Sequence, residues 1–255
     1  MQPHERVTAA LSEAAEGGGT ALVPFITAGY PALDTFQDTV AAVSAVGDVV
    51  EIGVPFSDPM ADGMTIQRSS HVAIQNGVSL AWIFDQLEAA SERIAAPLVL
   101  MSYVNPLLAY GYDTLAERAA GVGVGAFIVP DLPLEEAEPL REALEASGLG
   151  IVHLVTPATP DDRLAELTEA SRGFVYAVTI TGVTGGATGL PDDMASCLAR
   201  VSNVSKLPVC AGFGIRTAAD VRNVGEHAAG AIVGSALVEV LEQGGDPAAF
   251  LSSLR

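Results

Sequence analysis

Three carboxylates, Glu51, Asp58 and Asp62, stand where an apolar strand gives way to a loop, in Val49-Val50-Glu51-Ile52-Gly53-Val54-Pro55-Phe56-Ser57-Asp58-Pro59-Met60-Ala61-Asp62-Gly63. An ionised acid inside an apolar run is costly unless it is paired or protonated part of the time. A carboxyl in apolar surroundings has a raised pKa, whereas one in a polar loop stays ionised. Two such groups at one site can run acid and base chemistry together. The same residue types also fit structural acids that cap a helix or hold loop amides.

Two glycine-rich turns supply a second kind of chemistry: Ala211-Gly212-Phe213-Gly214-Ile215 and Val233-Gly234-Ser235-Ala236. Each follows a strand and opens a helix. Backbone N–H groups and a helix dipole at such a turn bind an anion without a cationic side chain. Either turn alone reads equally as a tight connection. The pair, after the last two strands, matches the recurrent phosphate site of α/β barrels. A third loop, Thr181-Gly182-Val183-Thr184-Gly185-Gly186-Ala187-Thr188-Gly189, carries four glycines and reads as a lid, with Gly185 offering another amide.

Other chemistries lack their residues. The one lysine, Lys206, precedes a strand at the far end, so a Schiff base has no candidate. His4, His71, His153 and His227 show no metal-ligand spacing, although His71 falls near the acidic loop. No nucleophile elbow marks a serine triad. Cys197 and Cys210 make neither a disulfide framework nor a metal site, and read as small buried fillers. Carboxylate acid–base catalysis on a phosphorylated substrate remains, with no cofactor expected.

The elements that must position these residues alternate between strand and helix. Strands are expected at Ala21–Thr27, Asp48–Gly53, Pro97–Tyr103, Gly125–Val129, Gly150–Val155, Gly173–Thr179, Leu207–Ala211 and Gly230–Val233. Helices are expected at Leu33–Val46, Thr65–Gln75, Leu80–Ile94, Tyr112–Ala120, Leu134–Ser147, Pro160–Ser171, Pro191–Val204 and Ala218–Gly225, with Ser235–Leu254 closing the chain. The strands are rich in Val, Ile, Leu and Ala and rarely alternate, as in parallel sheets covered on both faces. Eight βα units in 255 residues predict an α/β fold, a single-domain (β/α)8 TIM barrel. Its chemistry sits at the strand C-terminal ends, where Glu51, Tyr103, Asn105, Asp131 and Thr179 fall.

The net charge of −19 argues against nucleic acid or an anionic membrane as partner. It also means that a bound phosphate needs strong local dipoles. No apolar run reaches the roughly 18 residues of a membrane span. The start, Met1-Gln2-Pro3-His4-Glu5-Arg6, lacks a signal core, so a cytoplasmic protein is expected.

The run from Glu51 to Gly63 resembles the catalytic strand and loop of the tryptophan synthase α subunit family. Pro24-Phe25-Ile26-Thr27-Ala28-Gly29, Asn105-Pro106, Val129-Pro130-Asp131-Leu132-Pro133, Gly182-Val183-Thr184-Gly185, Gly212-Phe213-Gly214-Ile215 and Gly234-Ser235 follow in the family's order. The resemblance implies cleavage of indole-3-glycerol phosphate to indole and glyceraldehyde 3-phosphate. It implies that Glu51 moves the protons and that Asp62 accepts the indole N–H. Substrate contacts carried over are Phe25, Tyr103, Tyr176, Thr184, Gly185, Phe213, Gly214, Gly234 and Ser235, with Met101 and Ile232 as further wall candidates. It also implies a pyridoxal-phosphate β subunit as partner, in an α2β2 heterotetramer, with Asp58 and the two loops facing it. The chain departs from the family's pattern at Met64, where proline is usual, and at Gly186-Ala187-Thr188-Gly189, where an arginine is common. Two alternatives follow: a stand-alone indole-releasing lyase, and a catalytically weak regulatory subunit. A sugar-phosphate isomerase would also fit the phosphate site.

Overall fold

The computed structural model describes residues 1–178, 192–212 and 214–255. The chain opens with α1 (Pro3–Glu16), β1 (Ala21–Thr27), α2 (Phe36–Ser44) and β2 (Val50–Gly53), followed by α3 (Met64–Gln75), α4 (Leu80–Ala89) and β3 (Leu98–Met101). Next come α5 (Val104–Tyr110), α6 (Tyr112–Gly121), β4 (Val124–Ile128), α7 (Glu138–Ala146), β5 (Gly150–Val152) and β6 (Leu154–Val155). The last part holds α8 (Asp161–Ala170), β7 (Val175–Val178), α9 (Asp192–Val204), β8 (Val209–Gly212), α10 (Ala218–Gly225), β9 (Gly230–Val233), α11 (Ser235–Glu242) and α12 (Pro247–Ser252).

All strand pairs are parallel, in the order β5-β4-β3-β2-β1-β9-β8-β7-β6. The two end strands, β5 and β6, are halves of the single fifth strand expected from sequence, parted only by His153. The chain itself therefore closes the barrel. The break has a local cause. The His153 amide donates to Ser171 Oγ at 3.0 Å, while its carbonyl still accepts from the Tyr176 amide at 3.1 Å.

Strand side chains divide into two layers. Leu22, Ile26, Ile52, Leu100, Phe127 and Val175 point outward into the helix layer. Val23, Val99, Ile128, Val152, Phe174 and Ile232 fill the interior. The base of that interior is closed by α1, which the sequence reading did not anticipate. Its Val7 and Leu11, one turn apart, are fully buried among the inward strand residues. Pro3 begins the helix, and the Gln2 amide donates to the Glu5 carboxylate at 2.7 Å. Gly125 on β4 lets this helix lie close: a Cβ there would stand 2.6 Å from both the Pro3 carbonyl and Val7.

Other differences from the expected elements are local. The stretch expected as one helix over Leu134–Ser147 is a 3₁₀ turn, Leu134–Glu136, followed by α7, because Pro139 restarts the helix in its first turn. The third strand stops at Met101, and α5 begins at Val104. Its Pro106 lies in the first turn, where a missing N–H is tolerated. Among the described residues no helix is long and apolar enough to cross a membrane.

Candidate active site

Glu51 sits in the middle of β2 and points into the barrel. Its neighbours in register are Phe25 on β1 and Val99 on β3. It is 1% exposed, and neither carboxylate oxygen has a hydrogen-bond partner among the described residues. Burial, and then the nearby charge of Asp62, pushes its pKa up to about 8. An acid so placed is neutral at neutral pH and holds a transferable proton.

Asp62 belongs to the loop between β2 and α3, and side chains from elsewhere fasten that loop. The Ala61 amide donates to Tyr103 Oη at 2.9 Å, which brings the Tyr103 hydroxyl beside Asp62. The Tyr103 ring stacks on Phe56 with centroids 5.0 Å apart. Gln67 Nε2 donates to the Asp62 carbonyl at 2.8 Å. Burial pushes the Asp62 pKa up to about 6, opposed by the Tyr103 hydroxyl. Tyr103 itself is pushed up to about 12, chiefly by burial, and so stays protonated as a donor. Tyr103 lies outside the cavity lining, because β3 has ended and it stands as the residue before α5. There it braces the acid loop. Asp131 is also structural, accepting the Val104 amide at 2.9 Å and so joining the ends of β3 and β4. Asp58 is exposed and takes a hydrogen bond from Ser57.

Glu51 and Asp62 face one cavity of about 260 Å³ at the strand C-terminal ends. Phe25, Met101 and Ile232 form part of its wall, as does Tyr176, whose hydroxyl is buried. Gly53 sets the position of Phe25: a Cβ there would lie 2.4 Å from the ring. Gly212, Gly214, Gly234 and Ser235 complete the lining, with Gly234 next to Phe25 because β1 pairs with β9. Gly214 has φ +48°, a left-handed conformation suited to glycine. Gly234 immediately precedes α11, and its carbonyl accepts from the Leu237 and Val238 amides at 2.9 and 3.1 Å. The earlier amides of the helix have no intrahelical acceptor and carry the positive end of the dipole. Thr184, Gly185 and Phe213, with the rest of the loop 181–189 and Thr179, lie outside the described residues.

Ile66, Pro130, Leu154 and Val178 also line the cavity and were not singled out from sequence. The burial alternation along β7, with Tyr176 and Val178 less buried than Val175 and Ala177, is the signal that marks such inward positions. A larger cavity, about 790 Å³, opens at the other end, between α1, α8 and the segment entering β8. Lys206 lines it, as its place in the sequence implied. Its lining holds no strand C-terminus and no buried unpartnered acid. His71 is exposed on α3 beside Gln75, away from the cavity, and Cys197 and Cys210 are free and buried.

A parallel barrel with one buried and one half-buried acid beside glycine turns at the ends of its strands has the layout of an α/β-barrel enzyme. The model of the family described as tryptophan synthase alpha chain matches residues 11–251, and the chain belongs to that family. The tryptophan synthase alpha chain of Nitratidesulfovibrio vulgaris (strain DP4) is 42% identical over 249 residues, covering 97% of each chain. That of Roseiflexus castenholzii is 46% identical over 228 residues, covering 89% of this chain and 87% of the relative. Among solved structures, tryptophan synthase from M. tuberculosis in its aminoacrylate-bound form superposes with a TM-score of 0.88 at 34% identity, covering 98% of this chain and 97% of that one. The alpha subunit from Legionella pneumophila gives 0.88 at 31% identity, covering 100% and 97%.

Proposed function

We propose that this chain cleaves indole-3-glycerol phosphate to indole and glyceraldehyde 3-phosphate, as the α subunit of a tryptophan synthase. One observation carries the reading: Glu51, buried with neither oxygen partnered among the described residues, shares a cavity with Asp62 and the two glycine turns. The phosphate sits on the amides around Gly214, Gly234 and Ser235, and the indole lies against Phe25, Tyr176 and Met101. Protonated Glu51 gives its proton to indole C3. The ring nitrogen becomes positive, and Asp62 accepts its N–H and stabilises that charge. The Glu51 carboxylate then takes the proton of the C3′ hydroxyl. The C3′ carbonyl forms, the C3–C3′ bond breaks, and its electron pair returns to the ring. Glu51 ends protonated, ready for the next turnover. No Schiff base is required, because the substrate's own heterocycle takes up the electrons.

The family supports a β subunit as partner, and the M. tuberculosis relative is a tryptophan synthase structure in an aminoacrylate-bound form. The stand-alone lyase, the regulatory subunit and the isomerase gain no support from relatives named tryptophan synthase alpha chain. In this reading the chain works as one domain and in the cytoplasm. Indole release from the isolated chain, and again with a β subunit added, tests it. Release that β stimulates is expected; none in either condition, with phosphate-ligand binding absent as well, would overturn the assignment.

A further inference from the structure

Behind the glycine turns, one ion pair joins three segments of the site. Arg216 follows Gly214 by two residues, and Glu239 lies four residues past Ser235, one turn into α11. The guanidinium meets the carboxylate as a fork: Nη1 donates to Oε2 at 2.9 Å, and Nη2 to both oxygens at 2.9 Å. Oε1 also accepts from Thr65 Oγ1 at 3.4 Å, and Thr65 stands three residues past Asp62. A single carboxylate thus touches the turn after β8, the helix after β9 and the start of α3 behind the acid loop. One turn further, Arg68 makes a second fork to Glu242, at 3.0 and 2.7 Å, so α3 and α11 are clipped twice. Alongside the clips Ile66 and Val72 of α3 pack in one cluster with Val238 of α11.

The charge at this place matters as much as the tie. Glu239 lies roughly 6 Å along the helix axis from the amides that open α11. Alone, it would oppose the field that those amides and the dipole present to an anion. Paired with Arg216, it contributes no net charge. Neither side chain lines the cavity.

We propose that the Arg216–Glu239 pair is a positioning device for the anion-binding turns: it cancels the carboxylate's field at the start of α11 and holds the turn after β8 and the Thr65 end of α3 against that helix. The proposal rests on reading the cavity as the site of a phosphorylated substrate. Its test is a cycle of Arg216→Gln, Glu239→Gln and the double variant, with Arg216→Lys as the charge-preserving control. Binding of inorganic phosphate and glycerol 3-phosphate is measured by calorimetry, and KM and kcat by indole release. Arg216→Gln leaves Glu239 unpaired, so phosphate affinity falls about fivefold and KM rises alike, with a smaller change in kcat. The loss shrinks as salt is added. The double variant recovers most of the affinity because the repelling charge has gone too, and Arg216→Lys recovers part. A purely structural tie predicts no such recovery. If Arg216→Gln binds phosphate as the native chain does, or if the double variant is no better than the single, the proposal is wrong while the cleavage reading stands. If the native chain neither binds phosphate ligands nor releases indole, both fall together.

Discussion

The base of the barrel is closed by side chains, whereas the mouth is kept open by residues that lack them. At the base, Val7, Leu11, Val23, Phe174 and Ala21 fill the interior and none carries charge. At the mouth, Gly53, Gly212, Gly214 and Gly234 leave room, and the acids Glu51 and Asp62 stand in the space. The two regions divide the work: packing at the base contributes stability, while at the mouth the burial of Glu51 among its own strand neighbours and the charge of Asp62 raise its pKa.

The largest effect comes from the mouth. Glu51→Gln keeps the side-chain shape and removes the proton carrier, so indole release should fall by about 10²–10⁴-fold or more, with phosphate-ligand binding nearly intact. The same variant should change how stability responds to pH. Unfolded Glu51 ionises near its ordinary value, while in the folded chain it stays protonated up to about 8. Folding therefore takes up a proton between those values, and stability falls as pH rises through that window. Below pH 6.5 the signal is mixed. His153, pushed down to about 4 by burial, makes stability rise with pH up to its ordinary 6.5, and Asp62 contributes a fall up to about 6. From pH 6.5 to 8 Glu51 is the strongly shifted group that titrates. The native chain should lose of order a few kcal/mol across its whole window, and denaturant titrations of Glu51→Gln should show a flat response above pH 6.5. A native-like slope in that variant would mean the buried proton belongs to another group.

Asp62→Asn should cost about 10²-fold in kcat/KM by removing the charge that stabilises the protonated ring. The native pH profile should be bell-shaped, because turnover of the free enzyme needs Asp62 ionised, above about 6, and Glu51 protonated, below about 8. Both limbs are informative in the variant. The acid limb disappears with the carboxylate. The alkaline limb moves to lower pH, because the charge that helped raise Glu51 has gone. An alkaline limb that does not move would show that the two acids are not electrostatically coupled.

The mouth was far more legible in the sequence than the base. A glutamate inside Val49-Val50-Glu51-Ile52 is conspicuous because apolar strands rarely carry an unpaired acid, and glycine turns after two consecutive strands are rare enough to notice. The plug α1 uses ordinary residues. Its two buried positions, Val7 and Leu11, are separated by Thr8, Ala9 and Ala10, and its helix signals, Pro3 at the start and Glu5 reaching back to Gln2, mean little until something lies beneath them. Tyr103 shows the other limit. The resemblance offered it as a substrate contact; what the sequence did not show is that β3 ends early and the Tyr103 hydroxyl takes the amide of Ala61, in the Asp62 loop 42 residues away in sequence. Such long-range ties leave no local pattern. The split of the fifth strand at His153 depends in the same way on Ser171, whose hydroxyl takes the amide that a continuous strand would pair.

The base should respond in stability alone. Leu11 is fully buried, and Leu11→Ala opens a void under the floor, costing about 2–5 kcal/mol of unfolding free energy. At a temperature where the variant is folded, KM and both pH limbs should match the native chain. A shifted alkaline limb would instead mean that water reaches Glu51 through the weakened floor, and so that the two ends depend on each other.

The smallest and most discriminating comparison uses one added methyl at each end. Gly125→Ala places a Cβ 2.6 Å from the Pro3 carbonyl and from Val7, so α1 must shift, at about 1–3 kcal/mol. Gly53→Ala places one 2.4 Å from the Phe25 ring, and that ring borders the cavity. The ring must move, and it borders the space read as the indole site. The two variants should therefore lose similar amounts of stability in denaturant titrations, yet only Gly53→Ala should raise KM for indole-3-glycerol phosphate. Affinity for inorganic phosphate should change less than KM in Gly53→Ala and not at all in Gly125→Ala. Equal KM values in the two variants would mean that Phe25 does not border the bound indole, and the aromatic side of the site would then have to be sought among Tyr176, Leu154 and Val178.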